Sequence, residues 1–131
     1  MNYLKLLEIA DLLAELLDTE SVTAGCIDTS CNKAIGVYQR EEFVPRECIS
    51  TESSYEISKI RILIHWNKNP TETESKATEI AELFSGFENM ETKNHMIKFA
   101  EVKAVRSIGK DEKSICEYIV DVNIIYTERN D

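Results

Sequence analysis

Four cysteines and two histidines are the side chains of this sequence best suited to metal binding or nucleophilic catalysis. Cys26 and Cys31 are separated by four residues, and Cys48 or a histidine could complete a tetrahedral zinc site. Structural zinc sites usually combine two closely spaced ligand pairs, and the sequence offers no second pair. Cys116 falls in an alternating strand pattern, where a small apolar side chain is expected. We therefore predict four thiols, no metal and no other cofactor.

The two histidines do not occur in a catalytic spacing. His65 and His95 fall at the end and the start of predicted strands, outside any His-Glu-x-x-His motif, and we expect both on the surface. The four glycines are isolated, so that neither a phosphate-binding loop nor a dinucleotide-binding motif can be built from them. A catalytic pair assembled from distant residues is the enzymatic alternative. The motifs favour a protein that is not an enzyme.

Length and charge narrow the functional classes further. The chain has 131 residues, which is the size of one domain covering residues 1–131. Its 15 basic and 24 acidic residues give a formal net charge of −9. So acidic a chain is repelled by phosphate backbones and by anionic lipid surfaces. We therefore expect neither sequence-independent DNA binding nor attachment to a membrane.

The first predicted element is a helix over residues 3–17, whose polar residues form one narrow stripe. Lys5, Glu8, Asp11 and Glu15 follow one another at intervals of three or four residues, and most intervening side chains are apolar. The apolar arc is wider than one sheet face requires, so the helix either lies deep in the core or contacts another subunit. The charges also argue against a signal peptide or a membrane span, which favours reduced cysteines.

Three strands are predicted in the first half of the chain. Two short β-branched runs, Ser21–Ile27 and Ala34–Gln39, are separated by turn-forming residues and could form a hairpin. Residues 40–54 show no periodicity, which predicts a long loop that carries function or contacts partners. The third strand covers Tyr55–Trp66, and a phase change of its apolar residues near Ser58 predicts a bulge.

A second helix and a C-terminal hairpin are predicted in the second half. The helix covers residues 71–86, where Thr71 and Glu74 match a capping box. The hairpin covers residues 95–127, and its second strand alternates cleanly between two faces. Its first strand is mixed, with two apolar sets in opposite phases: Ile97, Phe99 and Val105 against Val102 and Ala104.

Together the elements predict an α+β fold in which two helices pack on a mostly antiparallel sheet, in the order α-β-β-β-α-β-β. The last strand places three isoleucines on the face that should be solvated, which indicates a covering partner. We predict that these isoleucines and two leucines of the first helix form a subunit interface: Leu4, Leu7, Ile115, Ile119 and Ile125.

The C-terminal hairpin also carries a resemblance to a known family. The run Val105–Lys113 (VRSIGKDEK), followed by Cys116–Tyr126 (CEYIVDVNIIY), resembles the last hairpin of small phage and prophage proteins that are minor capsid or tail terminator (tail completion) proteins. The order of the upstream elements is similar as well, with a Leu-rich helix, two short strands, a long strand and an amphipathic helix. In element order the resemblance covers nearly the whole chain.

This resemblance implies a structural virion protein. Members of the family cap the tail tube, assemble as a ring, commonly a hexamer, and present a surface to the head connector. The implied partners are other copies of the chain, the tail tube protein and the head–tail connector protein. The implied location is the head–tail junction of the virion, after synthesis in the host bacterial cytoplasm. DNA would pass through the ring without specific binding, because an acidic lumen repels a polyanion.

Three glutamates of the long loop could face DNA or a partner. We expect Glu41, Glu42 and Glu47 of the long loop to line the lumen or a docking rim. An unrelated dimeric α+β binding module is the main alternative, because simple α+β folds serve many functions. A small enzyme is the third possibility, although the sequence spells out no catalytic constellation.

Overall fold

The computed structural model describes residues 3–17, 21–27, 33–40 and 55–128, with two helices and six strands in these ranges. In chain order they are α1 (Leu6–Leu17), β1 (Val22–Ala24), β2 (Ala34–Gln39), β3 (Glu56–His65), α2 (Pro70–Ser85), β4 (Glu88–Glu91), β5 (His95–Lys110) and β6 (Cys116–Glu128). The predicted α+β class and order are confirmed. The short strand β4 is an addition, because its sequence ENME shows no strand pattern.

The six strands form one sheet in the spatial order β1-β2-β3-β6-β5-β4. β1 and β2 are parallel, and the other neighbouring pairs are antiparallel. The hairpin predicted for the first two strands is therefore wrong, since parallel neighbours cannot be joined by a tight turn. The C-terminal hairpin is confirmed, with β5 and β6 paired along their whole length.

Both helices cover the same face of the sheet, which we call the helix face. α1 packs on β1 and β2, whereas α2 packs mainly on β5 and β6. The even-numbered residues of β3 and β6 point to the helices and join them in one core cluster, with these members fully buried: Ile60, Ile62, Ile64, Val120, Val122 and Ile124. The odd-numbered residues of the same strands form the opposite face, which we call the second face.

The residue that caps the start of α2 is not the one expected from the sequence. The side-chain oxygen of Asn69 accepts hydrogen bonds from the backbone N–H groups of Thr71 and Glu72 at 3.0 and 3.2 Å. Asn69 is therefore the N-cap, and Pro70 occupies the first turn, where its missing N–H leaves no bond unmade. The capping box predicted at Thr71 is wrong because Asn69 already satisfies the first free N–H groups.

β3 is regular, contrary to the prediction of a bulge. It pairs with β6 without interruption from Glu56 to His65, so no extra residue occurs near Ser58. The phase change read from the sequence has another cause. Ile57 lies opposite Ile125 on the second face, which also carries apolar residues.

β5 is irregular instead. Its register against β6 shifts three times, at Lys98, Lys103 and Ile108. Each extra residue reverses the faces of the residues that follow. Ile97 therefore lies on the helix face and Phe99 on the second face, and the predicted common phase of these two residues is wrong.

Residues 41–54 of the predicted long loop lie outside the described residues. Within the described ranges, neither helix has the length and apolar character needed to cross a bilayer.

Candidate interaction surfaces

Both histidines are buried, so the predicted surface positions are wrong. His95 is fully buried at the start of β5, and its Nδ1 lies 3.0 Å from Oε1 of Glu8 in α1. The same carboxylate oxygen accepts hydrogen bonds from the Thr92 hydroxyl and the Asn94 backbone N–H, both at 3.0 Å. These contacts tie α1 to the turn between β4 and β5.

His65 is buried on the second face at the end of β3. Its Nδ1 lies 3.0 Å from Oε2 of Glu117, and its Nε2 lies 3.7 Å from Oδ2 of Asp111 in the hairpin turn. The thiol of Cys116 lies on the helix face, because successive strand residues point to opposite sides. Each described histidine is therefore buried beside carboxylates and away from that thiol. Its contacts hold structural elements together.

The described thiols are free. Cys26 is exposed and Cys116 is buried, as expected for a small apolar position. Cys31 and Cys48 lie outside the described residues, so the absence of a zinc site stays a prediction. No cluster of three or more possible metal ligands occurs among the residues that the structure describes.

Three carboxyl groups have pKa values below their ordinary values. Burial alone would raise the pKa of Glu8, but the hydrogen bonds from His95, Asn94 and Thr92 together lower it. The hydrogen bonds from Arg61 lower the pKa of Asp121. The backbone N–H of Ile115 does the same for the pKa of Asp111.

These shifts predict an acid-sensitive fold. Ordinary Asp and Glu groups titrate near about pH 4, and the folded state holds these three groups ionised to lower pH. Their contribution to stability is complete above about pH 5 and is lost as the pH falls through the lowered values. We expect the urea midpoint to fall between about pH 5 and pH 2. D121N should be less stable at pH 7 and show a flatter pH profile, and a midpoint that rises on acidification would contradict the assignment.

α1 is a core helix with one exposed side. Ile9 and Leu13 are fully buried, which agrees with the deep-core interpretation for most of the apolar arc. Leu7 is 60% exposed, and Asp11 and Glu15 follow it one and two turns later, also exposed. We call Leu7, Asp11 and Glu15 the α1 stripe. It combines a large accessible apolar side chain with two carboxylates.

Leu7 is also the most accessible of the residues predicted at a subunit interface. The other four are buried within the chain itself, each at most 6% exposed: Leu4, Ile115, Ile119 and Ile125. The interface stays a prediction, and Leu7 is the member that can contact a partner without opening the fold. The acids predicted at a lumen or rim lie outside the described residues: Glu41, Glu42 and Glu47.

A charged pair occupies the middle of the second face. Arg61 of β3 donates two hydrogen bonds to Asp121 of β6, at 2.7 and 3.0 Å. This bidentate pair raises the pKa of Arg61 and holds Asp121 ionised. Arg106 of β5 is exposed, and its positive charge further lowers the pKa of Asp121.

A depression of about 360 Å³ lies beside this pair on the second face. We call it the β5 depression, and six residues line it: Tyr38, Arg61, Leu63, Arg106, Ile108 and Ile119. Its lining combines three aliphatic side chains and a tyrosine with two arginines. Such a site fits an apolar side chain that is followed by a carboxylate.

The distal part of β5 differs in charge from the rest of the chain. β4 pairs with β5 only as far as Phe99, so residues 100–110 form an edge of the described sheet, which we call the β5 arm. The arm carries three basic residues, Lys103, Arg106 and Lys110, against Glu101 alone, although the whole chain has a net charge of −9.

The backbone of the β5 arm is poorly suited to pairing with another strand. Two of the three register shifts of β5, at Lys103 and Ile108, lie in the arm. Bulges and lysines on an edge strand oppose the addition of a further strand. Val105 and Ile108 are 41% and 44% exposed, so the arm offers side chains for recognition instead.

Arg61, Arg106 and Ile108 were not predicted as surface-site residues. A signal was present: residues 98–110 contain four basic residues and one acidic residue in an otherwise acidic chain. The register shifts could not be read from the sequence, and without them the face on which each side chain lies could not be assigned.

The family comparison matches this architecture. A family model described as "Bacteriophage tail terminator protein" matches residues 3–128, and the chain therefore belongs to the phage tail terminator family. No curated protein matches the chain. Membership indicates a protein of the virion tail that interacts with other phage tail or head proteins, and it favours a structural role over a catalytic one.

Proposed function

We propose that this chain is the subunit of a ring that caps the phage tail tube and joins it to the head connector. The observation that carries the proposal is the family match over residues 3–128. The exposed α1 stripe and β5 arm support it, because a structural subunit needs surfaces for its neighbours. The partners are further copies of the chain, the tail tube protein and the connector protein, at the head–tail junction of the virion.

The charge of the chain supports the passage of DNA through such a ring. A net charge of −9 disfavours retention of a polyanion, so DNA slides through without specific binding. Glu41, Glu42 and Glu47 remain our candidates for the lumen or a docking rim. The chain is made in the bacterial cytoplasm and acts in the assembled virion.

Genetic complementation tests this function. A phage or prophage lacking the gene should produce tails without a defined end and heads without tails. Supplying the wild-type chain should restore joined virions of uniform tail length in electron micrographs. The exposed variant K68E should restore them equally well. Normal virions without the gene would contradict the proposal, and so would a failure of the wild-type chain to restore them.

A further inference from the structure

We propose that the α1 stripe of one copy docks in the β5 depression of the next copy, in a head-to-tail contact. This inference rests on the proposed ring and names the surfaces that form it. Leu7 enters the depression beside Leu63 and Ile108, and Asp11 pairs with Arg106.

Shape and exposure support the apolar part of this contact. Leu7 is the most exposed of the large apolar side chains among the described residues, at 60%. The β5 depression, at about 360 Å³, has room for a leucine side chain and keeps Ile108 44% exposed. Covering these side chains removes apolar surface from water on both copies.

Charge supports the choice of a second copy as the occupant. α1 contains three acidic residues and no basic one, whereas the β5 arm is basic. Asp121 already receives both hydrogen bonds from Arg61, so the exposed Arg106 can meet an incoming carboxylate. Asp11 lies one helical turn after Leu7, so the apolar and the acidic group can reach the depression together.

The positions of the two surfaces make the contact heterologous. α1 lies on the helix face over β1 and β2, whereas the depression lies on the second face beside β5. Each copy therefore uses two different patches on opposite faces of its sheet. Head-to-tail contacts of this kind generate a closed ring or an open filament rather than an isolated two-fold dimer.

Charge reversal of the full chain tests the contact by sedimentation velocity. The wild-type chain should form species larger than a dimer as the concentration rises to about 1 mM. R106E and D11R should each weaken self-association by about tenfold or more, because each places like charges together. An equimolar mixture of R106E and D11R should restore assembly, since both junctions of an alternating ring then pair opposite charges. K68E and E82R, which lie outside both surfaces, should behave as the wild type.

Several outcomes would overturn the inference. They are a wild-type chain that stays monomeric at about 1 mM, single variants that assemble normally, a mixture that stays dissociated, and assembly that stops at dimers. Duplex DNA bound by the wild-type chain but not by R106E would assign the arm to nucleic acid instead. A monomeric wild-type chain with loss of complementation by R106E would assign the depression to another tail protein. Complementation by the wild-type chain keeps the proposed function intact in each case.

Discussion

Replacing Glu8 by alanine is expected to lower the free energy of unfolding by about 3 kcal/mol. One oxygen of this carboxylate accepts hydrogen bonds from the Thr92 hydroxyl and the Asn94 backbone, and faces the His95 ring, each at 3.0 Å. Alanine removes this acceptor from the buried Thr92 and His95 side chains and from the Asn94 backbone N–H. Because the cluster joins α1 to the β4–β5 turn, its loss loosens both elements.

Urea unfolding of matched variants distinguishes the loss of the Glu8 cluster from the general effect of replacing a glutamate in α1. E15A changes an exposed glutamate of the same helix and should cost less than about 0.5 kcal/mol. E8Q keeps an acceptor oxygen but loses the charge, so an intermediate loss is expected. Equal stability of E8A and E15A would show that the carboxylate contributes nothing to the fold.

F84A is expected to cost about 4 kcal/mol, the largest effect that we predict. Phe84 is fully buried under α2, and its ring centroid lies 5.0 Å from that of Phe87 at an interplanar angle of 52°. Alanine leaves a cavity between α2 and the sheet that the rigid strands β5 and β6 cannot fill. The loss is a large share of the roughly 5 to 15 kcal/mol that stabilises an ordinary domain.

The matched control for F84A is E82A, which changes an exposed residue of the same helix. Denaturant midpoints measured at equal protein concentration should differ strongly for F84A and little for E82A. A loss below about 1 kcal/mol for F84A would mean that the core under α2 is not packed as described.

The regular part of the fold could be predicted from the sequence because its patterns are local. The apolar spacing of α2 and the alternation of β6 depend only on which residues lie on one face. Both were confirmed, as were the α+β class and the C-terminal hairpin. The pairing of β1 with β2 was not predicted correctly, because two short β-branched runs carry no information about parallel or antiparallel neighbours.

The surfaces depend on contacts between distant residues, which explains why they were predicted less well. The carboxylate that contacts His95 belongs to Glu8, which is far away in sequence. The sequence around His95 therefore gave no sign that this histidine is buried. The β5 depression requires β2, β3, β5 and β6 in register, including the shifts at Lys103 and Ile108. Leu7 is exposed, which leaves it available for the predicted subunit contact, and that contact itself stays a prediction.

Electron cryomicroscopy of the head-proximal end of purified tails would show whether this chain forms the terminal ring. We expect a closed ring of this chain on the last layer of the tube, with the Leu7 side of α1 in each copy against β5 of the next. Tails that carry no copy of the chain at this end, or that carry it only as single subunits without mutual contact, would rule out the proposed ring.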